Sequence, residues 1–407
     1  MVDLADPELY ARGIPHAEFA ALRSRPGLTW NPLGPDDGFW AVGRHADVVE
    51  VSRDPVTYSS AVGHIQLYDI DPDALDARAS MIDLDPPIHT RLRRLVSSAF
   101  TPRHVQKYQA AIRERVCRSL ADVADHGGGN WVSAVAAPIP IGVICDLMGV
   151  PESDHDYMIE LSDHLVAGTS DQPLDPGAYG NTTDLRLLPF NSPAAHGIFE
   201  YAAALGERRR RQPADDLVTK QIHAEVDGER LSDVEFTNFF RLMIFAGNET
   251  TRSAMAHLAV HLAAFENEFD RVRRDPALLD RAAEEVVRYS SPILYFRRTA
   301  TRDTELAGTA VAAGQKVVMW YASANFDERV FEEPLRFDVG RPPTPPNVAF
   351  GGGGVHFCLG ASLARLELAI LIEEILARDW RIELLDEPTF VSSNFVNGIE
   401  RLEVQLR

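Results

Sequence analysis

Cys358 ends a run that reads Phe350-Gly351-Gly352-Gly353-Gly354-Val355-His356-Phe357-Cys358-Leu359-Gly360. It leads straight into Ala361-Ser362-Leu363-Ala364-Arg365-Leu366-Glu367, a helical pattern. Glycine gives up more backbone entropy on ordering than any other residue and buries no side chain. Four in a row therefore suit a place where backbone lies flat against something large. A cysteine just before a helix meets free N–H groups and the positive end of the helix dipole, which favour a thiolate. Such a sulfur can be a metal ligand or a nucleophile. Taken alone, Cys358 also fits a small inert hydrophobe, so its reading depends on the other polar residues of the chain.

Those residues fall in four further places. His89 and Arg93 are four apart in Ile88-His89-Thr90-Arg91-Leu92-Arg93-Arg94-Leu95 and share one helix face. Ala246-Gly247-Asn248-Glu249-Thr250-Thr251 interrupts a long apolar segment with a glycine and polar side chains. That goes against helix propensity and is the kind of local conflict found at functional sites. Its structural alternative is a helix whose polar groups bond the preceding turn. Glu285 and Arg288 are three apart and can pair. Arg298 lies in a short alternating stretch.

The segments that position them can be read from spacing. Ser232-Asp233-Val234-Glu235 is a capping box, and no proline follows before Pro276. A helix over 233–264 would run roughly 48 Å at ~1.5 Å per residue, enough to cross a whole domain. The spacing predicts further helices over 88–95, through much of 104–165, from Pro276 to Arg288 and over 361–378. Trp40-Ala41-Val42, 293–320 and 380–406 read as short strands. Residues 58–80 and 168–195 read as loops, the second mobile. With no linker and no repeat, the chain is expected to be one mainly α domain, 1–407, with small sheets.

Composition sets the outer bounds. The chain has 407 residues, 45% hydrophobic, with 40 basic against 60 acidic side chains, net −20. Such an acidic surface disfavours nucleic acid and anionic membranes. Three scattered cysteines give no disulfide framework and no zinc motif, which fits a reducing compartment. No stretch reaches the ~18–20 apolar residues of a membrane span. A cytoplasmic protein without membrane anchor is expected.

Taken together and in this order, the five motifs resemble the cytochrome P-450 haem-thiolate monooxygenases, over roughly residues 30–405. The resemblance implies a single-domain fold of helices around a long central one, with haem b as cofactor. It implies that Cys358 is the axial ligand of the haem iron and that the glycine loop, from Phe350 to Gly360, hydrogen-bonds its sulfur. His89, Arg93, Arg298 and His356 match the positions that bind the haem propionates, whose carboxylates call for charge-assisted donors. Ala246 and Gly247 would border the haem, Gly247 leaving room for dioxygen. Thr250 and Glu249 would deliver protons to dioxygen. Glu285 and Arg288 match a buried pair linked to Asn325-Phe326-Asp327 and Arg341. The family usually carries Arg where Phe326 stands, so that network is expected to be rewired. The loop places Phe350 eight residues before the cysteine, whereas most bacterial members have seven. With Ala246-Gly247-Asn248-Glu249-Thr250-Thr251-Arg252 and Ser323-Ala324-Asn325, this is similar to the actinobacterial branch acting on sterols and methyl-branched lipids.

By the family's layout the substrate would contact the two loops together with Leu242, Phe245, Ala246, Ile293, Leu294, Phe395 and Val396. These are apolar, so a lipophilic substrate is expected: a sterol, branched lipid or terpenoid. The chain holds no recognisable flavin or nicotinamide segment, so electrons are expected from a separate ferredoxin and its reductase. The ferredoxin would dock on a basic patch that includes Arg91 or Arg94, and the enzyme is expected to be a monomer. Two other readings stand beside hydroxylation: a haem-thiolate binding or sensor protein without turnover, and a peroxygenase. The Glu249-Thr250 pair speaks against both.

Overall fold

The computed structural model describes residues 2–69, 80–167, 193–226 and 228–407. The helices that shape the site are α1 (His16–Ser24), α2 (His45–Arg53), α3 (Ile88–Val96), α4 (Gln109–Asp125), α5 (Pro138–Met148), α6 (His155–Ala167), α7 (Pro193–Arg211), α8 (Asp233–Ala264), α9 (Leu279–Ser290) and α10 (Ala361–Ala377). The predicted central helix is therefore present at its expected length. Ser232 accepts from the Glu235 N–H at 3.2 Å, and Glu235 accepts from the Ser232 N–H at 2.8 Å. Both halves of the capping box are thus made.

Helix α8 is apolar on most of its circumference, as expected for a helix surrounded by others. It packs against α5, α6, α7, α9 and α10. Gly247 does not break it. Thr250 Oγ1 donates to the Ala246 carbonyl at 3.0 Å, one turn back, so the polar interruption is absorbed within the helix. Helices α4, α5, α8, α9 and α10 share one large apolar core, with Trp131, Ile144, Phe240 and Leu371 fully buried in it.

A mixed sheet stands beside the helices. Its strands are β1 (Thr29–Pro32), β2 (Gly38–Val42), β3 (Tyr58–Ser59), β4 (Tyr295–Ala300) and β5 (Lys316–Trp320), in the order β1-β2-β5-β4-β3. β2 pairs parallel with β5, and the other pairs are antiparallel. The hairpin at 304–311 and the strands of the tail also form. Val48–Val51 lies in α2. Residues 70–79 of the first expected loop and 168–192 of the second lie outside the described residues, while 193–195 open α7.

The Glu285–Arg288 pair is buried and bidentate, with Arg288 Nε and Nη2 each 2.8 Å from a Glu285 oxygen. Arg341 Nε lies 3.2 Å from both oxygens, and the Asp338 N–H donates to Oε1 at 2.9 Å. Arg288 Nη1 also donates to the Asn325 carbonyl at 2.8 Å. This network clamps α9 to the segment leading into the cysteine loop. The Asn325 side-chain oxygen accepts from the Val348 N–H at 2.7 Å, just upstream of Phe350.

Candidate active site

Between α8, α10, β4 and the glycine loop lies a cavity of about 210 Å³, open in part to solvent. Cys358 lines one wall, and Leu242, Ala246, Gly247 and Thr250 line another. The cysteine loop closes on itself: the Cys358 N–H donates to the Phe350 carbonyl at 2.9 Å. Gly352 has no room for a side chain, since a Cβ would sit 2.6 Å from Ser52 Oγ. The corresponding atom at Gly354 would collide with the Ser52 carbonyl. The glycines thus let the loop lie flat on α2, which holds it from behind.

The exposure of Cys358 is exposure to this interior space. Burial pushes its thiol pKa up, and the Gly360 N–H, Arg93, Arg365 and the Ala361 N–H oppose that. These donors and cations favour sulfur as an anion, and a metal ion would complete the stabilisation. Phe350 borders the same wall and is covered by the Arg365 guanidinium, 4.3 Å from the ring centre.

At one edge of the cavity His89, Arg93, Arg298 and His356 come together. Both ring nitrogens of buried His89 lack a hydrogen-bond partner. Arg298 is 4% exposed and donates to the Arg297 carbonyl at 2.8 Å. Arg93 donates to the Phe357 carbonyl at 2.6 Å. Among the described residues neither arginine pairs with a carboxylate. Burial lowers the pKa of each guanidinium. Burial, with Arg93 next, lowers His89 to about 4, and burial with Arg298 lowers His356 to about 2. A buried cluster of cations and donors without an anion is what two carboxylates would complete. A haem, with a flat macrocycle, two propionates and an iron needing a thiolate, fits this donor set.

The wall opposite Cys358 is formed by positions 242, 243, 246, 247, 250, 251 and 254 of α8, one helical stripe. Thr250 therefore faces the cavity. Glu249 is buried but lies off the stripe and does not line the space. At Gly247 the direction a Cβ would take is filled by Ile144 of α5, 2.8 Å away. The glycine is needed for close helix packing there, whatever else its small size permits.

Of the seven expected substrate contacts, Leu242, Ala246 and Ile293 line the cavity. Phe245, Leu294, Phe395 and Val396 are not among the residues lining it. Phe245 falls off the α8 stripe. Leu294 follows Ile293 in extended chain and so faces the other way, into a core with Tyr295 and Trp320. Phe395 packs against Phe296 at 5.8 Å, and it is Phe296 that reaches the cavity. Met81, Ile82, Phe100 and Phe296 line the space without having been expected there. Arg91, expected to be available to a partner, is committed to Glu229 and Glu235.

Comparison with known proteins agrees with this geometry. The family model described as Cytochrome P450 matches residues 196–403. The chain is 40% identical over 396 residues to the methyl-branched lipid omega-hydroxylase of Mycobacterium tuberculosis strain H37Rv, covering 95% of this chain and 90% of that protein. It is 37% identical over 415 residues to the steroid C26-monooxygenase of Rhodococcus jostii RHA1, covering 100% and 84%. The solved structure of Mycobacterium marinum cytochrome P450 CYP268A2 in complex with pseudoionone aligns with a TM-score of 0.89 at 36% identity, covering 100% of this chain and 98% of that one. Among the described residues no helix is long and apolar enough to cross a membrane. With a family model matching more than half of the chain and relatives of 37–40% identity covered over nearly their whole length, the chain belongs to the cytochrome P450 family of monooxygenases.

Proposed function

We propose that the protein hydroxylates a lipophilic substrate, a methyl-branched lipid, sterol or terpenoid, with dioxygen and two electrons from a ferredoxin. The observation that carries this reading is the apolar wall around Thr250. Leu242, Ala246, Ile293, Phe296, Met81 and Phe100 line the same cavity as Thr250, whose charged lining residues include Arg93 and Arg298 of the donor edge and Glu367. An apolar pocket with few polar groups selects an apolar ligand and orients it through shape. The relatives named as lipid and steroid hydroxylases support the same class.

Haem b, bound through Cys358, supplies the activation of dioxygen for insertion of one atom into a C–H bond. The protein's own residues do the rest. His89, Arg93 and Arg298 would hold the propionates. Phe350 and Gly360 shape the loop around the sulfur, and the Gly360 and Ala361 N–H groups bond it. Thr250 presents a hydroxyl that already has an acceptor, the Ala246 carbonyl, so its own oxygen can accept from a water in the cavity. Such a water carries a proton toward the reacting oxygen. Glu249, one residue earlier and buried beside the wall, replenishes that proton from behind.

Electrons arrive by docking of an acidic ferredoxin on the Cys358 side. Reversal of Arg94, on α3, to Glu should weaken that docking. Unchanged ferredoxin-supported turnover at low salt would remove it from the interface. The substrate assignment is tested by titrating the ferric protein with methyl-branched fatty acids, steroids and terpenoids. A fitting ligand displaces water from the iron and shifts the Soret band to the high-spin position. Failure of every apolar class, with a response to polar ligands, would overturn the reading.

A further inference from the structure

A second recess, of about 270 Å³, is lined by Glu284 of α9, Arg365 of α10, Asn347 and the prolines between 342 and 346. Glu284 stands beside the Glu285–Arg288 clamp but makes its own contacts. One of its oxygens meets Arg365 Nε, and the other accepts from Asn347 Nδ2 at 2.8 Å. Asn347 is fixed in turn, since its side-chain oxygen accepts from the Ala349 N–H at 3.1 Å. Glu284 thereby links α9, α10 and the chain that enters the cysteine loop.

Arg365 carries this link to the haem cavity. Its guanidinium carbon lies 4.3 Å from the centre of the Phe350 ring, and Phe350 lines the cavity that Cys358 also lines. The Phe350 carbonyl accepts from the Cys358 N–H at 2.9 Å. Arg365 lines the recess and not the cavity, so the Phe350 ring stands between its charge and the space around the sulfur. Both members of the ion pair are half-buried, with side chains 37% and 32% exposed. Stacking on a ring is weak at such a site. A carboxylate in the plane of the guanidinium fork is what holds the long side chain in one geometry.

We infer that Glu284 is a positioning residue: it holds the Arg365 guanidinium on Phe350, and the arginine held there stabilises negative charge on the Cys358 sulfur. This rests on the haem reading of the cavity. A cation near a ligating sulfur weakens electron donation to the iron and favours the ferrous state, so the held arginine raises the reduction potential. The sign of the effect separates two roles for Glu284. A carboxylate acting only through its own charge lowers the potential, and its removal raises it. A carboxylate acting by holding Arg365 does the reverse, because its removal frees the arginine into solvent and the potential falls.

The test is the ferric–ferrous reduction potential of the haem-loaded wild type, Arg365→Met, Arg365→Lys, Glu284→Ala and the Glu284→Ala/Arg365→Met double variant. Arg365→Met keeps an apolar stem and removes the charge. It should shift the one-electron equilibrium toward ferric on the order of tenfold, a fall of ~59 mV. Glu284→Ala should shift it in the same direction by a comparable amount, and the double variant should go no further than Arg365→Met. Arg365→Lys, a charge without the planar fork, should fall between wild type and Arg365→Met. The C–O stretching frequency of the ferrous carbon monoxide complex should fall with the potential, as more electron density reaches the iron. The inference is overturned by a potential that rises or stays unchanged in Glu284→Ala, by a wild-type potential in Arg365→Met, or by additive shifts in the double variant. Glu284→Ser, with the same expected sign, replaces Glu284→Ala if the alanine variant retains too little haem to titrate. All variants should keep the thiolate signature in the carbon monoxide difference spectrum. Its absence from the wild type would count against the haem reading and not against Glu284.

Discussion

The guanidinium carbon of Arg288 lies 5.0 Å from the centre of the Phe326 ring. Tyr289 and Phe331 stand at 5.6 and 5.5 Å from the same carbon, so three aromatic faces surround a buried cation whose fork grips Glu285. Phe326 also meets His16 edge-on at 4.4 Å. Where the family usually places a second arginine, this chain substitutes cation–π contact. Phe326→Arg should therefore bring an uncompensated charge beside Arg288 and His16 and lower unfolding free energy by ~3 kcal/mol. Urea denaturation reads this directly, and an unchanged midpoint would show that the network still accepts the family's arginine.

Glu285 is the shared acceptor of Arg288, Arg341 and the Asp338 N–H. Glu285→Gln keeps the shape and removes the charge that both arginines face. Breaking a buried pair from one side costs ~3–5 kcal/mol, because the other charge stays buried. The variant should express poorly and unfold at lower denaturant than wild type, with Arg288→Lys also impaired because a lysine lacks the fork.

The packing role of Gly247 gives a paired prediction. Gly247→Ala should destabilise by ~1–3 kcal/mol, since the new methyl meets Ile144 in a filled core. Adding Ile144→Val should recover part of that loss. If the single variant is as stable as wild type, α5 and α8 are not held at the observed separation.

Acid stability follows from two histidines away from the cavity. Burial, then Arg23 and Arg288, lowers His16 to about 4, and burial lowers buried His257 to about 4 despite its bond to the Asn397 carbonyl. A histidine that is neutral when folded takes up its proton only on unfolding between pH 6.5 and 4, so the unfolded state binds more protons there. Stability is then full above pH 6.5 and falls as pH drops toward 4. Denaturation midpoints across that window should show the slope, and His257→Gln should flatten it.

Much of this was legible in the chain. The capping box at Ser232 marked the start of α8, and the absence of proline let it run unbroken to Ala264. The order of His89, Thr250, Arg298 and Cys358 announced one site, and the structure places all four on one cavity. Less legible was the face that each residue takes. Phe245 and Glu249, four apart on α8, lie off the stripe that 242, 246, 250 and 254 define, and a helical projection separates them. Leu294 fails by strand alternation after Ile293. Ile144, Phe100 and Phe296 line the cavity through packing of α5, the segment after α3 and β4, which no periodicity in one element reveals.

Thr250 bears on the chemistry without bearing on the fold. Thr250→Ala removes the hydroxyl while keeping the helix, so substrate binding and haem loading should be unchanged. Product formed per dioxygen consumed should fall, with hydrogen peroxide rising in its place, because protons reach the reacting oxygen less selectively. A second variant, Glu249→Gln, should slow turnover by ~10²-fold if the carboxyl replenishes the relay. Wild-type coupling in Thr250→Ala would remove that residue from proton delivery.

The most direct test of the whole account is the carbon monoxide difference spectrum of the reduced, haem-loaded protein beside that of Cys358→Ser. The wild type should show a Soret band shifted far to the red, the mark of a thiolate opposite carbon monoxide. Cys358→Ser should lose that band even when haem is retained. A red-shifted band that survives the substitution, or never appears in the wild type, would contradict Cys358 as the ligand around which this site is built.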